Sequence, residues 1–120
     1  MEPEQIADII FSVDKNIRYV DVVGSGPDYE IEESCMREGV RSLTTDEKDR
    51  EFIQFLPEVI LGIADKLNDD MGKIRYSLLC FETATLMLFK TPEYVVVISL
   101  EAGTFAKPVY ERLGPLLGLE

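Results

Sequence analysis

Apolar positions recur along this chain with two different periods, and the period changes several times. Ile6, Ile9, Ile10 and Val13 stand at i, i+3, i+4 and i+7, one face of a helix from Pro3 to about Lys15. Pro3 is tolerated in the first turn, where its missing N–H has no helical partner to lose. Ile17 to Val23 is rich in β-branched residues and of strand length. Gly24-Ser25-Gly26-Pro27-Asp28 then signals a turn, and Tyr29 to Glu32 is expected to return as a second, more exposed strand of a hairpin.

Ser34 to Leu43 has no clear period and fits a short helical turn or an ordered loop. Thr44 and Glu47, three apart, form a capping box for a long helix. Its stripe is expected to be Phe52, Leu56, Val59, Ile60, Ile63 and Leu67, with a stop at Gly72. Pro57 removes the hydrogen bond to the Ile53 carbonyl, so a kink or break is expected there. Three strand-length runs follow, Ile74 to Phe81, Thr85 to Phe89 and Tyr94 to Leu100, with links short enough for antiparallel hairpins. Val95 to Ile98 has no polar face and predicts a strand covered on both sides. Thr104 is expected to cap a last helix carrying Phe105, Val109, Leu113 and Leu116 or Leu117, with Gly114-Pro115 ending it early.

The predicted order is α-β-β-α-β-β-β-α within a single domain, residues 1–120. The economical packing is an α+β sandwich, a five-stranded antiparallel sheet with helices on both faces.

Composition narrows the function. The 120 residues carry 12 Lys+Arg, 23 Asp+Glu and no histidine, a net charge of −11. Such a surface repels phosphate backbones and anionic lipid, so neither nucleic acid nor a membrane is an expected partner. Without histidine, Ser-His-Asp and Cys-His nucleophiles and imidazole metal sites are excluded. Cys35 and Cys80 form no C-x-x-C pair. Cys80 is expected to be a buried, inert thiol, and the acidic neighbours of Cys35 disfavour its thiolate. The acidic N-terminus and the shortness of the apolar runs point to a reduced, soluble, cytoplasmic protein.

Gly24-Ser25-Gly26 is followed by Pro27 and a strand, not by the Lys and helix of a phosphate-binding loop, so the chain is not itself a GTPase. Asp69-Asp70 lacks the spacing of a calcium loop. Asp28, Glu30 and Glu32, spaced by two, would share one strand face with Glu33 adjacent. The plain reading is a solvated acidic edge that discourages strand pairing; the alternative is a hard-cation site. No catalytic, cofactor or metal residue stands out, and general acid–base work would fall to carboxylates such as Glu82 or Asp21.

The chain resembles the Roadblock/dynein light chain 7 superfamily, a profilin-like fold. The resemblance is carried by Ile6 to Ile10, by Val20 to Gly26 as strand and turn, by the long helix through Ile63 to Leu67, and by three strands ahead of a C-terminal helix. The stretch Leu67 to Phe89 also looks like a small archaeal domain family with no assigned activity. The longer link Ser34 to Leu43 and Pro57 depart from the pattern. The resemblance implies a non-catalytic scaffold or interaction module, homodimeric through sheet edges and central helices, with a small Ras-like GTPase as a possible partner.

On that reading Phe55, Val59, Gly62 and Lys66 form the pairing face, and Asp28, Glu30, Glu32 and Glu33 an acidic surface for a partner. Gly62 interrupts a run of helix formers, which suits either close approach across a dimer or close packing on the chain's own sheet. The alternative function is a small-molecule sensor of profilin-like fold, with Tyr19, Tyr29, Met36 and Tyr76 lining a cleft.

Overall fold

The structure, a computed structural model, describes residues 1–119. Its elements follow the predicted order: α1 (Pro3–Val13), β1 (Ile17–Gly24), β2 (Ile31–Met36), α2 (Asp46–Met71), β3 (Tyr76–Cys80), β4 (Ala84–Lys90), β5 (Tyr94–Glu101) and α3 (Ala106–Leu117). The five strands form one antiparallel sheet in the order β2-β1-β5-β4-β3. β5, the most continuously apolar run, lies at the centre and is buried from Val95 to Leu100. Alternate side chains divide the core between the two faces. Val96, Ile98 and Leu100 pack with Ile6 and Ile10 of α1 and Val109 and Leu113 of α3. Val95 and Val97 pack with Ile53, Leu56 and Leu61 of α2.

Several local expectations are corrected. The second strand starts at Ile31, not Tyr29. Tyr29 adopts a left-handed conformation, φ 46°, its N–H donates to the Gly26 carbonyl, and the turn closes with the Gly24 N–H on the Glu30 carbonyl. The strand then runs through Ser34–Met36, residues read from the sequence as loop or helical turn. A register shift opposite Val22 and Val23 leaves Glu32 as an extra residue, so Ile31 turns toward α2 while Cys35 packs on the α1–α3 side.

Beyond β2 the chain is held by arginines. Arg37 Nε donates to the Ile17 carbonyl at 2.7 Å, and its Nη2 donates to the carbonyls of Phe11 and Asp14 at 2.9 and 2.8 Å. Its guanidinium also lies 5.1 Å from the centre of the Phe11 ring. Arg18 Nη2 donates to the Arg41 carbonyl at 2.7 Å. Arg37→Ala leaves the three carbonyls that end α1 and start β1 without this donor. It is expected to destabilise the fold by about 2 kcal/mol in urea unfolding; a loss below ~0.5 kcal/mol would show that this corner is held by packing alone.

The long helix is capped one residue later than expected. The Thr45 side chain, not that of Thr44, accepts from the Lys48 N–H, so no capping box with Glu47 forms. The helix runs unbroken through the buried Pro57 and stops where Gly72 turns to φ 83° and returns its N–H to Asn68. In α3, Phe105 rather than Thr104 is the N-cap, and it is 81 % exposed instead of lying on the buried stripe. Gly114-Pro115 does not end the helix. Leu113 and Leu117 anchor its last turn in the core, and the N–H groups of Gly118 and Leu119 both reach the Gly114 carbonyl.

Candidate functional site

α2 is apolar on two adjoining faces, and the structure decides which is covered. Ile53, Leu56, Pro57, Leu61 and Ala64 are buried, with Phe52 and Ile60 half-buried beside them. Val59, Ile63 and Leu67, read from the sequence as one stripe with Phe52, Leu56 and Ile60, are exposed, while Leu56 is buried. With Phe55 and Met71 they make a row at successive i+4 positions along nearly five turns of helix. Phe55 is 64 % exposed, Ile63 53 % and Met71 76 %. Each i+4 step advances about 40° round the axis, so the row winds from Phe55 on the outer side of α2 toward the sheet side at Met71. As a continuous exposed row it is more than the scattered single exposures of an ordinary surface.

The four residues expected on a pairing face, Phe55, Val59, Gly62 and Lys66, are all exposed on α2. Gly62 has open space around it: apart from its chain neighbours and the adjoining backbone of its own helix, a Cβ built there meets nothing within 4 Å. Packing on its own sheet therefore does not explain this glycine.

The acidic residues are not brought into one row. Asp28 lies in the turn and Glu30 in the link before β2; only Glu32 and Glu33 are on the strand. Glu32 is exposed at the bulge, while Glu33 is half-buried opposite Val22, beside Cys35. The expectation of one shared strand face fails because Tyr29 interrupts the extended backbone. Asp28, Glu30 and Glu32 remain exposed at one end of the sheet edge. Among the described residues, no group of three or more Cys, Asp or Glu could hold a metal ion. No described helix is long and apolar enough to cross a membrane.

The two thiols are free. Burial, and then the charges of Glu33, Asp8 and Glu4, push the Cys35 thiol up. Cys80 is exposed, contrary to the expectation of a buried thiol. β3 is an edge strand, and of its residues on that face only Tyr76 packs against the α1–α3 core. Leu78 and Cys80 on the same face are left open.

The four residues proposed for one cleft separate. Tyr19 and Met36 line a cavity of about 390 Å³ between the sheet and the start of α2. Tyr29 lines a different and more polar groove of about 760 Å³ beside Lys73, Arg75 and Lys90. Tyr76 lines neither; its ring stacks on Tyr110 with centroids 4.8 Å apart.

Sequence reasoning named Asp21 only as one carboxylate among others and did not foresee its burial. Asp21 is buried in the middle of β1, on the face toward α2, where the pairing Asp21–Ser34 lies beside Tyr19–Met36. Burial pushes its carboxyl up to about 6, opposed by a side-chain hydrogen bond from Ser34 and reinforced by the charge of Asp49. A lone Asp inside an apolar strand is the signal that could have found it.

No family model matches the sequence, and no curated protein matches it significantly. Solved structures do match over nearly the whole chain. A Roadblock/LC7 domain from Streptomyces avermitilis superposes with a TM-score of 0.70 at 6 % identity, covering 98 % of this chain and 93 % of that one. MglC from Myxococcus xanthus gives 0.60 at 13 % identity, covering 98 % and 95 %. An MglB in a tetrameric arrangement gives 0.63 at 9 % identity, covering 96 % and 87 %. By these superpositions this chain has the Roadblock/LC7 fold.

Proposed function

We propose that this protein is a non-catalytic interaction module that pairs with a second copy through the outer face of α2 and the edge of β3. The observation that carries the reading is the uncovered row Phe55, Val59, Ile63, Leu67 and Met71, with open space at Gly62 beside it. A helix that meets its own copy there gains apolar contact along the row, and the glycine lets the two backbones approach closely. β3 adds an edge whose outward hydrogen-bonding groups are unpaired by the sheet. The MglB relative in a tetrameric arrangement is consistent with self-association in this fold. Sedimentation across a concentration series tests the reading: a dimer at low micromolar concentration is expected, and a strict monomer at high micromolar concentration overturns it.

The finer reading is that the dimer engages a small Ras-like GTPase, which the Roadblock resemblance implies. Residues 27–51 carry 9 acidic and 4 basic groups, the densest negative charge of the chain. The basic face of a partner is therefore expected to meet the surface around Asp28, Glu30, Glu32 and Glu33. Changing Asp28, Glu30 and Glu32 together to lysine should weaken capture of the partner GTPase about tenfold at low salt. Unchanged affinity would remove this surface from the interface.

A further inference from the structure

We propose that the cavity between the start of α2 and the sheet binds a small, uncharged, largely apolar molecule carrying one hydrogen-bonding group. This site is separate from the outer face of α2. Its floor is formed by Tyr19 of β1, Ala84 and Leu86 of β4 and Ser99 of β5, and its mouth by Met36, Leu43, Phe52 and Phe81. Met36, Leu43 and Phe81 are all exposed large side chains, so the apolar lining continues to the opening. The volume of about 390 Å³ falls in the range of small-ligand pockets. It equals the share of about a dozen waters in the liquid, far more than a single trapped water, and such apolar walls offer water few partners.

Two features select the ligand class. Ser99 is 1 % exposed, and its Oγ has no hydrogen-bond partner among the described residues, although it sits in an otherwise apolar floor. A buried hydroxyl without a partner is costly, and a ligand donor or acceptor entering the floor would satisfy it. The charged groups on the lining are Arg18, Lys48 and Asp49. Arg18 is already engaged by the Arg41 carbonyl and by Glu101, whose Oε1 is 3.4 Å from its Nε, and Asp21 lies just behind Tyr19. The Tyr19 phenol holds its proton more tightly than usual, through burial and then through Asp21 and Asp49, which outweigh Arg18. An anion placed against that phenol meets the same field, which favours an uncharged occupant.

N-phenyl-1-naphthylamine, an uncharged aromatic amine, is a suitable probe for protein labelled with ¹³C in its methionine methyls. Saturable fluorescence enhancement at one probe per chain in the ~10 µM range is expected. The Met36 signal should shift while Met71, at the far end of α2, stays in place. Leu86→Trp narrows the floor and should weaken binding about tenfold. The sulfonated analogue 1-anilinonaphthalene-8-sulfonate should bind about tenfold more weakly than the neutral probe. No saturation below about 100 µM, a shift at Met71 in place of Met36, equal affinity for the sulfonate, or undiminished binding by a folded Leu86→Trp variant would each overturn the proposal. If that variant does not fold, the methionine shifts in the native chain decide the matter alone. Because Met36 and Met71 report on different surfaces, failure here leaves the pairing of α2 untouched.

Discussion

Under the proposed pairing, Val59→Asp and Ile63→Asp together are expected to leave a folded monomer at concentrations where the native chain would be a dimer. Both side chains lie on the outer face of α2, so the monomer loses little packing when they change. Substitutions at such sites move stability by about 0.5 kcal/mol. In a two-fold pair each change appears twice, and four carboxylates would be taken from water into an apolar seam. The dissociation constant should rise ~1,000-fold or more. Sedimentation equilibrium reads the association, and thermal unfolding of the same samples confirms that the fold survives. Gly62→Ala is the finer probe. It should stabilise the isolated helix by about 1 kcal/mol, because the added methyl meets nothing beyond the adjoining backbone of its own helix. It should weaken the pair if the backbones meet closely there. An unchanged dimer in the double aspartate variant would place the pairing surface elsewhere.

The second large effect comes from Asp21. In an unfolded chain its carboxyl titrates near 3.8; burial raises it to about 6 in the native protein. Between those values the native state binds the proton and the unfolded state does not. Stability therefore falls as pH rises from about 4 to about 6, and the loss is complete above that window. The displacement corresponds to roughly 3 kcal/mol as an upper bound. Asp21→Asn keeps the shape of the side chain and removes the charge. At pH 7 it should stabilise the protein by about 2 kcal/mol, raising the unfolding midpoint by ~8 °C. Near pH 4 the gain should vanish, because the native aspartate is then protonated as well. Urea unfolding of both proteins at pH 4 and pH 7 checks the sign; a gain of equal size at both pH values would mean that charge is not the cause.

The element sequence and the antiparallel sheet could be read from the chain because period two and period 3.6 alternate cleanly and the links are short; the strand order could not. Val95 to Ile98 announces a central strand by having no polar side. The phase of α2 could not be read in the same way. Phe52, Ile53, Phe55, Leu56, Val59, Ile60, Leu61 and Ile63 cover two faces of one helix, and only the shape of the sheet decides which face docks. The start of β2 was hidden because a tyrosine takes the left-handed conformation usually left to glycine or asparagine. The acidic row was inferred from the misplaced strand and dissolved with it. That Phe55, Val59, Gly62 and Lys66 share one exposed helix face was legible, because their spacing depends only on the helix continuing through Pro57, which it does. The cavity was half legible: Tyr19 and Met36 are cross-strand partners, but Leu86 and Ser99 arrive from strands far away in sequence.

The two borders of the sheet are unlike, and that sets how far an assembly could grow. β3 pairs with β4 in unbroken register and carries no acidic residue from Tyr76 to Cys80. β2, at the opposite border, is distorted at Glu32, carries two consecutive glutamates, and lies against Arg37 and the segment that arginine pins. A copy added at β3 can continue the sheet; a copy added at β2 meets a bent strand and like charge. Strand addition is thus possible in one direction only. On the proposed pairing, two chains joined at β3 would use up every receptive border, so the association would close at a finite size instead of propagating into a fibre.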